Sequence, residues 1–181
     1  GPNMAGKSTV LRAMGIAVHC AHLGMRVCAD VAVVPRVDAV VASMAVRDNL
    51  ARAESLYLAE VRRVKRMVEA VHRGAVLFAI FDEVFRGTNV HDAREACALL
   101  VSGLAAVPSG TFVLASHLAE VGREHLGARG VACQYLEAEL REGTPRFSYR
   151  LRPGVSDVRL GMLLLDAEGV GPMLREVLIG E

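Results

Sequence analysis

Gly1-Pro2-Asn3-Met4-Ala5-Gly6-Lys7-Ser8-Thr9 opens the chain and fits the pattern G-x-x-x-x-G-K-[ST]. In such a loop, glycines let the backbone turn tightly enough for its N–H groups to surround the α- and β-phosphates of a nucleoside triphosphate. Lys7 then reaches the β/γ-phosphates, and the Ser8 hydroxyl ligates Mg²⁺. Residues 8–23 read as a helix with Val10, Leu11, Met14, Ile16, Ala17, Val18 and Ala21 on its apolar surface. Its N-terminus therefore presents free N–H groups and the positive end of its dipole to the phosphates. The stretch predicts an ATP-binding α/β domain in which residues 1–9 contact the nucleotide.

Composition supports a compact α/β protein and little else. The 181 residues suffice for one domain; 52% are hydrophobic and 23% charged. A net charge of +1 gives no footprint for holding a nucleic-acid backbone. Cys20, Cys28, Cys97 and Cys133 are scattered without zinc-ligand spacing, which predicts reduced, mostly buried thiols in a cytoplasmic protein. No secretory signal is visible, and the apolar stretches near 75–81 and 162–165 are too short to span a bilayer, so no membrane partner is expected. The chain has 19 arginines but only two lysines, Lys7 and Lys65. A phosphate loop needs a compact ammonium where a forked guanidinium would not fit. A scarce lysine at that position favours a phosphate site over a glycine-rich surface turn.

Onward from the loop, residues 26–34 and 37–45 are Val-rich, interrupted by Pro35, and predict two short strands. Residues 53–73 carry the longest helical pattern, and residues 75–81 an unbroken apolar run expected of a strand covered on both faces. A helix over 91–106 and a buried strand over 111–115 continue the alternation of an α/β layered fold. Strands near 131–140 and 145–151 predict a hairpin around Glu142-Gly143-Thr144-Pro145, and residues 157–166 and 170–179 two closing helices. A phosphate loop joins a buried strand to a helix, yet this sequence starts on the loop's first glycine. The strand before the loop is thus missing, and a fragment of a longer protein is expected.

Two further pairs of residues carry chemistry. Asp82-Glu83 end the apolar run, at the carboxyl end of a strand where α/β sheets place their sites. Asp82 is expected to hold Mg²⁺, directly or through water, and Glu83 to orient and deprotonate the attacking water. Against this stands an exposed acidic loop. Ser116-His117 end the next strand, where His117 can donate a hydrogen bond to the γ-phosphate, rather than merely cap a strand end.

Residues 1–9 are similar to the phosphate loop of the MutS family of DNA mismatch-repair ATPases. Asp82-Glu83-Val84-Phe85-Arg86-Gly87-Thr88-Asn89 resembles that family's Walker B strand end and R-G-T loop. Ser55-Leu56-Tyr57-Leu58-Ala59-Glu60 looks like its S-T-[FY]-x-x-E helix start, with Asp48-Asn49-Leu50 upstream. Ser116-His117 matches its T-H or S-H switch, and residues 152–161 resemble its P-G-V-[SA]-x…G segment. The departures are Ala5 for a second glycine, Leu56 for Thr, and Phe85 where mismatch-recognition members carry Gly. The F-R-G-T-N wording is closer to shorter members without a mismatch-reading domain.

The resemblance implies an ATPase domain over residues 1–181 with an ABC-type P-loop sheet and flanking helices. It implies a dimer with a second copy of the same or a homologous ATPase domain, contacting DNA through other domains, its ATP cycle controlling a DNA clamp. It assigns Ser55 to reach the partner's γ-phosphate, Asn3 to fix the loop or the γ-phosphate, and Tyr149 to lie against adenine. Two alternatives stand beside this reading. One is a nucleotide-dependent dimerisation module with little hydrolysis; the other is another ABC-type DNA-maintenance ATPase, although no L-S-G-G-type motif is present.

Overall fold

The structure is a computed structural model and describes residues 5–44, 56–141, 144–156 and 160–179. Its elements run α1 (Lys7–His22), β1 (Ala39–Ser43), α2 (Leu56–His72), β2 (Leu77–Asp82), α3 (Val90–Ala105) and β3 (Thr111–Ala115). Then follow α4 (Ala119–Glu124), β4 (Gln134–Arg141), β5 (Thr144–Pro153), α5 (Leu160–Ala167) and α6 (Val170–Ile179).

The central strand organises the core. Every residue of Leu77-Phe78-Ala79-Ile80-Phe81 is buried, because successive side chains of a strand point to opposite faces and both faces are covered. Leu77, Ala79 and Phe81 enter one cluster with Met67 of α2 and Ala93, Cys97 and Leu100 of α3. Phe78 and Ile80 enter the other with Leu11 and Val18 of α1. Parallel pairing in the order β1-β2-β3 aligns Ala39 with Leu77 and Asp82 with Ala115. The result is an α/β layering, α1 on one face of a small parallel sheet and α2 and α3 on the other, as the alternating pattern predicts. β4 and β5 form the expected antiparallel hairpin as a separate two-stranded sheet.

Three expectations need correction. Residues 26–34 form no strand: Val31 and Val33 are exposed, and the segment pairs with no strand among the described residues. Valine favours strands because it packs on a half-buried pleated surface, and without a neighbouring strand that preference has nothing to act on. β3 is partly rather than fully buried, since among the described residues only β2 flanks it. The thiols are unpaired as expected, but only Cys97 is buried; Cys20 and Cys133 are half-buried and Cys28 is exposed. α4, which docks Val121 into the core, arises where no helical pattern is evident in the sequence. The predicted helical residues 53–55 and 157–159 and turn residues 142–143 lie outside the described residues. Among those described, no helix is long and apolar enough to cross a membrane.

Phe81 is essentially inaccessible, whereas Val33 is 95% exposed. Phe81→Ala is expected to lower the unfolding free energy by about 3–5 kcal/mol. Val33→Ala is expected to change it by less than about 0.5 kcal/mol. Urea denaturation of both variants checks the pair.

Candidate functional site

The site lies where α1 begins and β2 ends. Gly6 caps α1 with φ +94°, a left-handed conformation that glycine adopts without strain, and its carbonyl accepts the N–H of Val10 at 3.0 Å. Ala5 is buried beside it. This turn starts the helix at Lys7, whose side chain, only 12% exposed, points to the carboxyl end of β2. Its Nζ lies 3.6 Å from Glu83 Oε1. Burial pulls the Lys7 pKa down from 10.5, opposed by the charge and hydrogen bonding of Glu83 and by the charge of Asp82.

Asp82 closes β2, and its Oδ1 is buried with no hydrogen-bond partner among the described residues. An orphaned carboxylate oxygen invites a cation or an ordered water. Glu83 leaves the strand at φ +51°, its N–H still bonded to Ala115 O at 2.9 Å. A positive φ on a residue other than glycine is uncommon, and here it swings the carboxylate off the strand line. The same Oε1 that faces Lys7 lies 3.9 Å from Nδ1 of His117, which is about half exposed. Ser116 Oγ accepts the N–H of Leu118 at 3.0 Å and so shapes the turn that carries His117.

Tyr149 comes to the same place from β5. The hairpin register slips between Leu136 and Ala138, leaving residues 148–150 opposite Glu137 alone. Tyr149 takes φ +56° within this bulge. A bulge re-aims side chains, and the Tyr149 ring comes so close to Gly6 that a Cβ there would meet Cδ1 at 3.3 Å. The ring is otherwise 67% exposed and presents an open aromatic surface beside the loop.

Gly6, Lys7, Asp82, Glu83, His117 and Tyr149 thus lie near one another at this place in the fold. Ser8 is half-buried and Thr9 exposed at the start of α1. Gly1, Pro2, Asn3, Met4 and Ser55 lie outside the described residues, as do Asp48, Asn49 and Leu50.

Sequence reasoning missed how the loop after Glu83 is held. Asn89 caps α3, its Oδ1 accepting the N–H of Asp92 at 2.9 Å and its Nδ2 donating to Asp92 Oδ2 at 2.7 Å. Glu60 sits beneath the loop, although it falls on the apolar stripe of α2 with Tyr57, Val61, Val64 and Met67. An acid on such a stripe is a signal that periodicity alone provides.

The donor set suits Mg²⁺ held largely by phosphate oxygens. The half-buried Asp82 carboxylate and the Ser8 hydroxyl at the start of α1 could serve a cation that takes one or two carboxylates plus phosphates and keeps its waters. No cluster of three or more His, Cys, Asp or Glu ligands occurs among the described residues.

The lowered pKa of Lys7 has a thermodynamic consequence. Between that value and 10.5 the unfolded chain binds more protons at this site than the folded one, so stability rises with pH across the window. Chemical denaturation from neutral to alkaline pH is expected to show this rise in the wild type and to lack it in Lys7→Met.

The chain matches the family model described as MutS domain V over residues 1–172. It is similar to the DNA mismatch repair protein MutS of Desulfovibrio desulfuricans, 30% identical over 178 residues, covering 97% of this chain and 19% of that protein. It is similar to DNA mismatch repair protein MutS 1 of Halobacterium salinarum, 30% identical over 172 residues, covering 94% and 19%. The DNA mismatch repair protein MutS of Streptococcus sanguinis is 29% identical over 182 residues, covering 97% and 20%. The chain spans about a fifth of the length of the curated relatives it matches. With the match running through the phosphate loop, the Asp82-Glu83 strand end and the Tyr149 hairpin, the chain belongs to the MutS family.

Proposed function

We propose that the chain binds and hydrolyses ATP as the ATPase domain of a MutS-like DNA repair protein. The observation that carries this reading is the convergence of Lys7, Asp82 and Glu83 at the junction of α1 and β2, with the buried Asp82 Oδ1 unpartnered among the described residues. A lysine with a lowered pKa between two carboxylates is poised to exchange one of them for a phosphate. The membership in a family whose relatives are named as mismatch repair proteins supports the DNA-repair setting.

In this reading Lys7 and the backbone N–H groups of the loop bind the β- and γ-phosphates, and Ser8 and Asp82 hold Mg²⁺. Mg²⁺ held by Ser8 and Asp82 would supply positive charge against the phosphate oxygens. Phosphate binding supplies Lys7 with a new anionic partner and releases Glu83. Glu83 then orients a water and takes its proton as the water oxygen bonds to the γ-phosphorus. The bond from that phosphorus to the β–γ bridging oxygen breaks, giving ADP and phosphate. His117 donates a hydrogen bond to the γ-phosphate, and Tyr149 stacks on adenine above Gly6. Ser55 of a second copy, or of a homologous domain, completes the site, and the cycle drives a DNA clamp through other domains of a cytoplasmic protein. The ABC-type assignment of the sheet belongs to this same proposal.

The Lys7–Glu83 pair also favours a second reading, a nucleotide-driven dimerisation switch with little hydrolysis. Turnover separates the two. Glu83→Gln is expected to bind ATP with near wild-type affinity while losing about 10²–10⁴-fold in hydrolysis. Unchanged turnover in that variant removes Glu83 from the mechanism. Background turnover in the wild type together with ATP-dependent dimerisation selects the switch.

A further inference from the structure

Glu60 is buried to 4% exposure, where acids are seldom found unless they are paired or functional. Its surroundings are the loop that carries Glu83. The backbone N–H groups of Gly87 and Phe85 come close enough to its carboxylate to favour its charged form, while its Oε2 is buried without a partner among the described residues. Arg86 of the loop and Arg63 of α2 lie near enough for their charges to act on it, and Cys97 of α3 feels its charge in turn.

The loop is pressed onto α2 at the same point. A Cβ on Gly87 would lie 2.7 Å from the backbone nitrogen of Tyr57 and 3.1 Å from its Cα, so no larger residue fits without moving the backbone. The rings of Tyr57 and Phe85 meet at 6.1 Å between centroids, and Cys97 Sγ donates to Val84 O at 3.5 Å from the opposite side. Both Glu83 and Phe85 hold positive φ, at 51° and 65°. Two such residues in a three-residue span persist only where the surroundings over-determine them. Glu60 supplies the polar part of that restraint.

We propose that Glu60 is a positioning residue, its buried carboxylate holding the Phe85 and Gly87 amides so that the strained turn keeps Glu83 aimed at Lys7 and His117. The consequence for hydrolysis rests on the ATPase reading above; the restraint on the loop does not. Glu60 thereby links the catalytic loop to α2, the helix that follows Ser55 in the sequence.

A merely structural acid and a positioning acid differ in how they affect stability. Burial pushes the Glu60 carboxyl up, against the Gly87 and Phe85 amides and the Arg86 and Arg63 charges that favour its ionised form. Ionising the buried side chain therefore costs folding free energy, and stability falls as pH rises from the ordinary carboxylate value through the raised pKa. Glu60→Gln relieves this cost but weakens the hold on the two amides.

The test uses the full chain and compares wild type, Glu60→Gln and Glu83→Gln. Hydrogen exchange at the Phe85 and Gly87 amides is expected to speed up by about tenfold or more in Glu60→Gln. Its Tm is expected to match or exceed wild type, with KM for ATP within about twofold and kcat lower by about tenfold or more. Unchanged exchange at the two amides overturns the proposal. So does a lower Tm with unchanged kcat, or faster exchange with unchanged kcat. If Glu83→Gln hydrolyses ATP like the wild type, the role given to Glu83 fails instead, and the amide exchange still decides whether Glu60 holds the loop. Glu60→Asp, which keeps the charge on a shorter arm, is expected to recover part of the amide protection that Glu60→Gln loses.

Discussion

A strand buried on both faces has no side on which to display a polar group, so its chemistry must sit at its end. β2 is such a strand, with Leu77, Ala79 and Phe81 committed to α2 and α3 and Phe78 and Ile80 to α1. This commitment fixes its register, because a slip by one residue would send every side chain to the other face. The register in turn fixes Asp82 opposite Ala115 and brings Glu83 out beyond the sheet. The packing of α1 on the Phe78 and Ile80 face determines that Lys7, at the helix start, arrives at those two carboxylates. Hydrophobic packing thus aims the polar site, although it makes no part of it.

At the site, electrostatic tension and backbone strain point the same way. Lys7 is held with a lowered pKa because burial outweighs the attraction of Glu83 and Asp82. Asp82 Oδ1 has no hydrogen-bond partner among the described residues, and Glu83, Phe85 and Tyr149 all occupy positive φ. Each feature is unfavourable in isolation, and their clustering around one loop and one helix start is what the proposed nucleotide site rests on. An anion between Lys7 and the loop, with a cation beside Asp82, would relieve most of the tension at once.

Much of this was legible in the sequence because it depended on short-range rules. The unbroken apolar run before Asp82-Glu83 announced a buried strand, and the glycine-lysine loop announced the helix start. What depended on neighbours was not legible. Val31 and Val33 are as β-favouring as Val40 and Val41, but only the latter find a strand to pair with. The apolar run Thr111–Ala115 predicts a buried strand, whereas burial depends on what lies alongside it. The bulge that turns the Tyr149 ring onto Gly6 comes from a register slip between two strands, which neither strand encodes alone. Glu60 was visible only as a misplaced acid on an apolar stripe, since its partners are backbone amides twenty-five or more residues away in sequence.

The central claim is that Lys7, Asp82 and Glu83 form one nucleotide-phosphate site. The most direct measurement is a crystal structure of the chain with Mg²⁺ and a non-hydrolysable ATP analogue. The account predicts phosphates against Lys7 Nζ, Mg²⁺ beside Asp82, the Lys7–Glu83 contact opened, and the adenine on the Tyr149 ring. A nucleotide bound elsewhere, or the Lys7–Glu83 pair intact beneath a bound triphosphate, would contradict it.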